Sequence, residues 1–341
     1  MKTNTVALIT LLAIAGAAMQ GQARAASLTV CPTGCQYATI QSAINQARDN
    51  DVVYIQKGHY FENLNTQGKA LTLWGIDNRQ AIVDGNGNGT VITIPGSNPV
   101  IVRDLTIMRG FGTGGGITAI SGAALNVRHS ILVDNFSTSV GGGIYVDGSS
   151  LTVFDCSITN NTATFEGGGI EVSDGTADIE SSVVARNSAG PTYGGGGIEI
   201  EVTNSTAGVA NVINNVSIIE NNGGGIQAGA EFGGYTLELA NSTIAGNSGS
   251  GVSYGCVDVA FNNDVITRNT AVKGGGIWGT GVCFRYYSPT TIISMTSTYV
   301  IGNTATGDGG GTYIVGSVTN GGNVVIQGNT PDNCAKGTTC P

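Results

Sequence analysis

Residues 141–170 read GGGIYVDGSSLTVFDCSITNNTATFEGGGI, one full turn of a pattern that runs through most of the chain. After the glycines, Ile144 and Val146 alternate with Tyr145 and Asp147. Leu151 and Val153 then flank Thr152, and Ile158 stands three positions before Asn161. Alternation with period two is the signature of strands that bury one face, and a helix would need a 3.6-residue period that is absent.

Working outward, GGGI recurs ending at Ile117, Ile144, Ile170, Ile198, Ile226 and Ile277, with GSGV at Val252 and GGGT at Thr312. The aliphatic-x-x-Asn element recurs as Leu132/Asn135, Ile158/Asn161, Val184/Asn187, Ile218/Asn221, Ile244/Asn247, Ile266/Asn269, Val300/Asn303 and Ile326/Asn329. Those asparagines are 26, 26, 34, 26, 22, 34 and 26 residues apart. Five residues before the first seven of these aliphatics lies another apolar residue (Val127, Val153, Ile179, Ile213, Leu239, Phe261, Met295). Seven before, the series Leu125, Leu151, Ala177, Asn211, Leu237, Val259 and Ile293 is apolar except at Asn211. A period of this length holding about three strands predicts an all-β solenoid, a right-handed single-stranded parallel β-helix. Identical positions then stack, with the asparagines as an internal ladder and the glycines at close backbone approaches.

Thr39 followed by Ile40, Ala43, Ile44 and Ala47 has helical spacing behind an N-cap, so a short N-terminal capping helix is expected over the open strand edges. Early coils are expected from strands near 52–55, 71–74, 81–83, 91–94 and 105–107. No linker divides the chain, which reads as one domain over 26–341: cap 26–50, coils 51–330, tail 331–341.

The first 25 residues read as an export signal, with Lys2, an apolar run from Val6 to Ala18, and Ala23-Arg24-Ala25 as the cleavage site. No other stretch has the roughly 18 apolar residues of a membrane span. A secreted, periplasmic or cell-surface monomer is expected. Export permits disulfides, and the seven cysteines suggest Cys31 with Cys35, Cys334 with Cys340, and Cys256 with Cys283 on adjacent coils, leaving Cys156 as a buried thiol. Zinc is disfavoured, with only His59 and His129 available and no CxxC pair.

Hydrophobic residues make up 40% of the chain, so its 55 glycines mark turns in a packed protein rather than disorder. Without Lys2 and Arg24, 12 basic residues face 23 acidic ones, a formal charge of −11. Nucleic acid is therefore not an expected partner, and a uronate polymer would need a bridging cation.

The stretch YATIQSAINQARDNDVVYIQKGHYFENLNTQGKALTLWGI, residues 37–76, resembles the opening of pectin-lyase-like right-handed β-helix proteins. The GGGI and [ILV]xxN pairing is similar to the GGA[ILV] and FxxN repeats of chlamydial polymorphic outer membrane proteins. The first resemblance implies polysaccharide lyases, hydrolases and esterases; the second implies surface adhesins. The pectate lyase arginine motif and the pectinesterase aspartate pattern have no match here.

Alternation places Tyr145, Glu171 and Glu199 outward on consecutive coils, with Asp147, Ser173 and Glu201 two residues on. Two chemistries suit that face. Glu171 and Glu199, one coil apart at ~4.8 Å, match the acid and nucleophile of a retaining glycosidase. Alternatively, a Ca²⁺ on Asp147, Glu171, Glu199 and Glu201 would hold a uronate while Arg186 or Arg128 removes a proton. A solvated acidic face is the plain alternative. Further along the column, Gln227, Ser253, Trp278 and Tyr313 follow, with Arg285, Tyr286 and Tyr287 on an adjacent loop, a pattern suited to stacking sugars. DGNGNG at 84–89 precedes a strand, not the helix of a dinucleotide site. His59 and His129 have no phased serine or aspartate, so no triad is expected. Two functions stay open: a glycan-binding, adhesin-like scaffold with a polysaccharide or cell-surface partner, and a polysaccharide-cleaving enzyme.

Overall fold

The computed structural model describes residues 25–190, 194–203, 209–231, 235–280, 292–338 and 340–341. The expected export signal lies, but for Ala25, outside them. The described chain is a parallel β-solenoid with three long sheets of 12, 11 and 10 strands, here called A, B and C. One coil lays Ala124–Arg128 into sheet A, Ile131–Val133 into sheet B and Ile144–Asp147 into sheet C, and Ser150–Phe154 then begins the next coil in sheet A.

Register follows the repeat. Leu125 pairs with Leu151, Val127 with Val153, Leu132 with Ile158, and Ile144 with Ile170. These inward residues are almost wholly removed from water, and each large aliphatic so buried contributes on the order of 1.5–3 kcal/mol. A strand at Ser27–Val30 already pairs with Asp51–Ile55, so β-structure begins within the segment expected to be only a cap.

Two sharp corners shape each coil. Between sheets A and B, Asp104, His129, Asp155 and Ser181 take φ of 46 to 56°, and after sheet B, Asp134, Asn160 and Arg186 take φ of 55 to 57°. Asn and Asp tolerate this left-handed conformation better than most residues. Immediately after the second corner comes the asparagine ladder. Asn135 Nδ2 donates to Asn161 Oδ1 (2.9 Å), Asn161 to Asn187 (3.0 Å), Asn187 to Asn221 (3.1 Å), and so on to Asn329 and Asn333. From Asn161 to Asn329 each Oδ1 also accepts the preceding asparagine's backbone N–H, and each Nδ2 also donates to a carbonyl, as Asn161 does to Leu132. All four hydrogen-bonding positions of the amide are thus filled in a water-free turn.

A second ladder, not anticipated from the repeat, lines the A–B corner. Ser130, Ser182 and Ser242 accept backbone N–H groups from Leu105, Cys156 and Val216, and Asp264 accepts from Ser242. Cys156 occupies one rung as a free buried thiol, and burial pushes its pKa up to about 11. The glycines have a steric reason: a Cβ on Gly142 would lie 2.3 Å from the carbonyl oxygen of Gly168.

The helix Ile40–Gln46 buries Ile40, Ala43 and Ile44 and packs on strands Ser27–Val30, Asp51–Ile55 and Leu64–Asn65. The Glu62 carboxylate accepts the N–H groups of Ile40 and Gln41 at its start, and Lys69 Nζ donates to the carbonyls of Ile44 and Asn45 at its end. Both charges oppose the helix dipole. Disulfides join Cys31 to Cys35 and Cys334 to Cys340. Cys256 is disulfide-bonded; its expected partner Cys283 lies outside the described residues.

Replacing Asn187 by Ala strips Asn161 of its acceptor and leaves the Ile158 carbonyl without its donor. The substitution should lower stability by about 3 kcal/mol or more, whereas Asn88→Ala on the surface should stay within about 0.5 kcal/mol. Urea unfolding midpoints of the two variants measure this, and equal losses would show that the ladder adds nothing.

Candidate functional site

The outward column of sheet C runs in unbroken register through Thr118, Tyr145, Glu171, Glu199, Gln227, Ser253, Trp278 and Tyr313. The order expected from the repeat is the order found. The environment is not. Glu171 is 0% and Glu199 3% exposed, so these side chains leave the sheet outward yet meet protein, not a solvated acidic face.

The cover comes from the chain that leads into each GGGI motif. A Cβ on Gly167 would lie 2.6 Å from both Cβ and Oε2 of Glu171, and one on Gly195 would lie 2.0 Å from Oε2 of Glu199. Both glycines have φ near 60°, so any side chain there is opposed by conformation as well as by space. Connection length varies from coil to coil. From ladder asparagine to the first sheet C residue is nine positions before Ile144 and Ile170, eleven before Ile198, and only five before Ile226 and Val252. Length alone does not set the cover: Tyr145, after the same nine-residue connection as Glu171, is half-buried, as Gln227 and Ser253 are after five.

Each buried carboxyl has one oxygen bonded and one orphaned. Ser173 Oγ donates to Glu171 Oε1 at 3.0 Å and Gln227 Nε2 donates to Glu199 Oε1 at 2.8 Å, while both Oε2 atoms lack a partner among the described residues. Burial, opposed by the Ser173 hydrogen bond and reinforced by Glu166 and Glu201, pushes Glu171 up to about 8. Burial and then the charges of Glu171 and Glu166 hold Glu199 well above the ordinary carboxylate range. Around neutral pH this pair retains protons, which removes the repulsion that two ionised neighbours would suffer.

The calcium set does not assemble. Asp147 is exposed and pairs with Ser173, which in turn pairs with Glu201, so two coil spacings separate Asp147 from Glu201. Among the described residues, no group of three or more His, Cys, Asp or Glu side chains is placed to hold a metal. Nor do the expected bases converge. Arg186 is exposed at the corner after sheet B, where it bonds Asn160 and approaches Glu220, and Arg128 belongs to sheet A. The phase that stacks like on like also keeps residues of different sheets apart. Tyr145, Trp278 and Tyr313 are half-buried, with Lys273 Nζ 5.1 Å from the Tyr313 ring centroid. Arg285, Tyr286 and Tyr287 lie outside the described residues.

One constellation escaped the repeat reading. His59, Asp84 and Arg109 come from three consecutive early coils: His59 Nε2 lies 2.5 Å from Asp84 Oδ2, Arg109 Nε donates to Oδ1 at 2.9 Å, and its NH2 donates to Oδ2. Burial pushes the Asp84 carboxyl up, but the bonds from Arg109 and His59 outweigh it and hold it below its ordinary value. The expectation that His59 had no phased aspartate is therefore corrected: the aspartate opens DGNGNG, whose Asn86 N–H it also accepts. The cluster pins that turn.

No protein-family model and no curated protein matches this chain. Among solved structures it is similar to pectate lyase Pel9A, at 13% identity and TM-score 0.48 over 89% of this chain and 80% of that one. It is also similar to the A-module of the Azotobacter vinelandii mannuronan C-5 epimerase AlgE6, at 16% identity and TM-score 0.43 over 89% and 94%. A carrot pectin methylesterase matches at 12% identity and TM-score 0.39 over 87% and 90%. None of their site residues is carried over at these levels.

Because both folded-state values lie above those of free carboxylates, the native chain binds more protons than the unfolded chain from the ordinary carboxylate range up to about pH 8. Stability should fall as pH rises through that window. The double variant Glu171→Gln/Glu199→Gln should lose this dependence, matching the parent near pH 4.5 and exceeding it by up to about 4 kcal/mol at pH 8.5. Denaturant unfolding across pH checks it; parallel curves for parent and variant would dismiss the buried acid pair as the cause.

Proposed function

We propose that this protein is a secreted or surface-exposed glycan-binding scaffold, a solenoid wound right-handed with the helix Ile40–Gln46 covering its first coil. Right-handed crossovers are the rule for parallel strands of one sheet. The observation that carries the functional reading is on sheet C, where half-buried Trp278 and Tyr313 sit in register at the end of a track continued by Ser253 and Gln227. Flat aromatic faces beside hydroxyl and amide groups take sugar rings. Cleavage has less support, because the two carboxyls a glycosidase would use are buried, share a coil-to-coil contact and face no basic residue from sheets A or B.

The test is calorimetry of the full chain against neutral and acidic polysaccharides, paired with assays for new reducing ends and unsaturated products. Binding without turnover is expected, with affinity falling at least about tenfold, near 1.4 kcal/mol, in Trp278→Ala. Turnover of any polymer, or binding untouched by Trp278→Ala and Tyr313→Ala, would overturn the reading.

A further inference from the structure

A second ordered column lies on the outer face of sheet A. Tyr54, Trp74, Arg103, Arg128 and Phe154 occupy equivalent positions on five consecutive coils, each pairing with the next. Their strand neighbours Val53, Leu73, Val102, Val127 and Val153 are completely buried, which points the column itself away from the core. Cation and aromatic are already in contact: the Arg103 guanidinium carbon lies 4.1 Å from the Trp74 ring centroid, and the Tyr54 ring is 5.2 Å from that of Trp74.

The arginines are held in a particular way. Arg103 donates through Nε to Asp104 at 2.9 Å, and Arg128 donates through Nε to Asn126 at 2.6 Å. Among the described residues, neither guanidinium uses its terminal nitrogens, and Arg128 is in no ion pair. Two planar forks are thus anchored at the stem, with their terminal N–H groups free, one coil or ~4.8 Å apart. The adjoining outward positions Thr72, Ile101, Asn126 and Thr152 carry no charge. Beyond Phe154 the column turns acidic at Glu180, beside Asp178. At the corner, Asp104 lies near His129, and Asp155 binds Arg79.

We propose that this strip is a binding site for a short anionic segment of polysaccharide, with carboxylate or sulfate groups on Arg103 and Arg128 and a sugar ring against the exposed Phe154. Two like charges stacked one coil apart on an exposed face call for anions opposite them, and a guanidinium offers paired N–H donors to each. Phe154, exposed at the end of the pair, takes the apolar face of a ring, which bare ions lack. A single-stranded nucleic acid also combines anions with flat rings. It suits the strip less well, because only two arginines face outward, bounded by Asp104, Asp155, Asp178 and Glu180 in a chain of net charge −9. The sheet C track uses none of these residues, so either site can fail without the other.

The experiment is calorimetry on the full chain at low ionic strength with chelator present. Probes are oligogalacturonate, a heparin-derived oligosaccharide, a neutral β-glucan oligosaccharide and an oligothymidylate. Binding of at least one acidic glycan is expected, weakened by added salt, reduced at least tenfold by Arg103→Gln/Arg128→Gln and unchanged by Trp278→Ala. The two acidic probes distinguish carboxylate from sulfate as the preferred group. Circular dichroism of the double variant should match the parent, since both arginines lie outside the core. The proposal is overturned if no acidic glycan binds, if the double variant binds as well as the parent, or if the oligothymidylate binds more tightly than either acidic glycan.

Discussion

Each coil lies ~4.8 Å above the last with its residues in register, so that the nearest neighbour of almost every side chain is its own counterpart. Everything else depends on that constraint. A residue type is then tolerated in a column according to how it interacts with itself. Isoleucine on isoleucine packs. Asparagine on asparagine closes a donor–acceptor chain, because one amide offers both roles, and from Asn161 to Asn329 every ladder amide is filled. Glutamate on glutamate is the opposite case, since two carboxylates have four acceptors and no donor. Glu171 and Glu199 resolve it by retaining protons in a buried slot, and Arg103 and Arg128 resolve the same problem by remaining at the surface.

Connections, not strands, decide which part of a column meets solvent. The interval between the last inward residue of sheet A and the inward residue of sheet B is constant at five from Val127/Leu132 to Met295/Val300, while the connections into sheets C and A vary. Gly167 and Gly195 pass close over Glu171 and Glu199, while Tyr145, after an approach of the same nine residues as that before Glu171, is only half-buried. The same strand geometry therefore yields a sealed acid pair at Glu171 and Glu199 and, one and two coils later, a half-buried Gln227 and Ser253.

The periodic part of this architecture was legible from residues alone. Phased Asn, Ile and Gly positions predict the ladder, the core columns and the register, because each is a property of one residue repeated. What was not legible depends on residues brought together from outside the repeat. Burial of Glu171 required knowing where Gly167 lies, and the asparagine-to-GGGI intervals do not show it, since the same nine positions precede Ile144 and Ile170. His59, Asp84 and Arg109 stand 25 residues apart, a spacing visible in the sequence, but they lie before the first aliphatic-x-x-Asn element by which the coils were phased. The Trp74 and Arg103 contact arises in the same region. Arg186 failed as a base for the converse reason: near in sequence to the acids, it lies around a corner on a different face.

Net charge is a poor guide to partners for a molecule built this way. A formal charge of −9 describes the far field, where a polyanion is repelled. Beyond ~8–10 Å at physiological salt that field is screened, and what a ligand meets is one column on one sheet. Because like stacks on like, a column concentrates whatever it carries. Sheet A presents paired arginines between aromatic rings, and sheet C presents hydroxyl, amide and aromatic groups with Glu171 and Glu199 sealed beneath the chain. The acids that dominate the total are therefore partly absent from the surface that a polymer lying along sheet C would touch. A long acidic polymer would gain at the arginine strip only over a few coils, before Asp178 and Glu180 turn the same face repulsive, so the strip selects for short acidic blocks over uniformly charged chains.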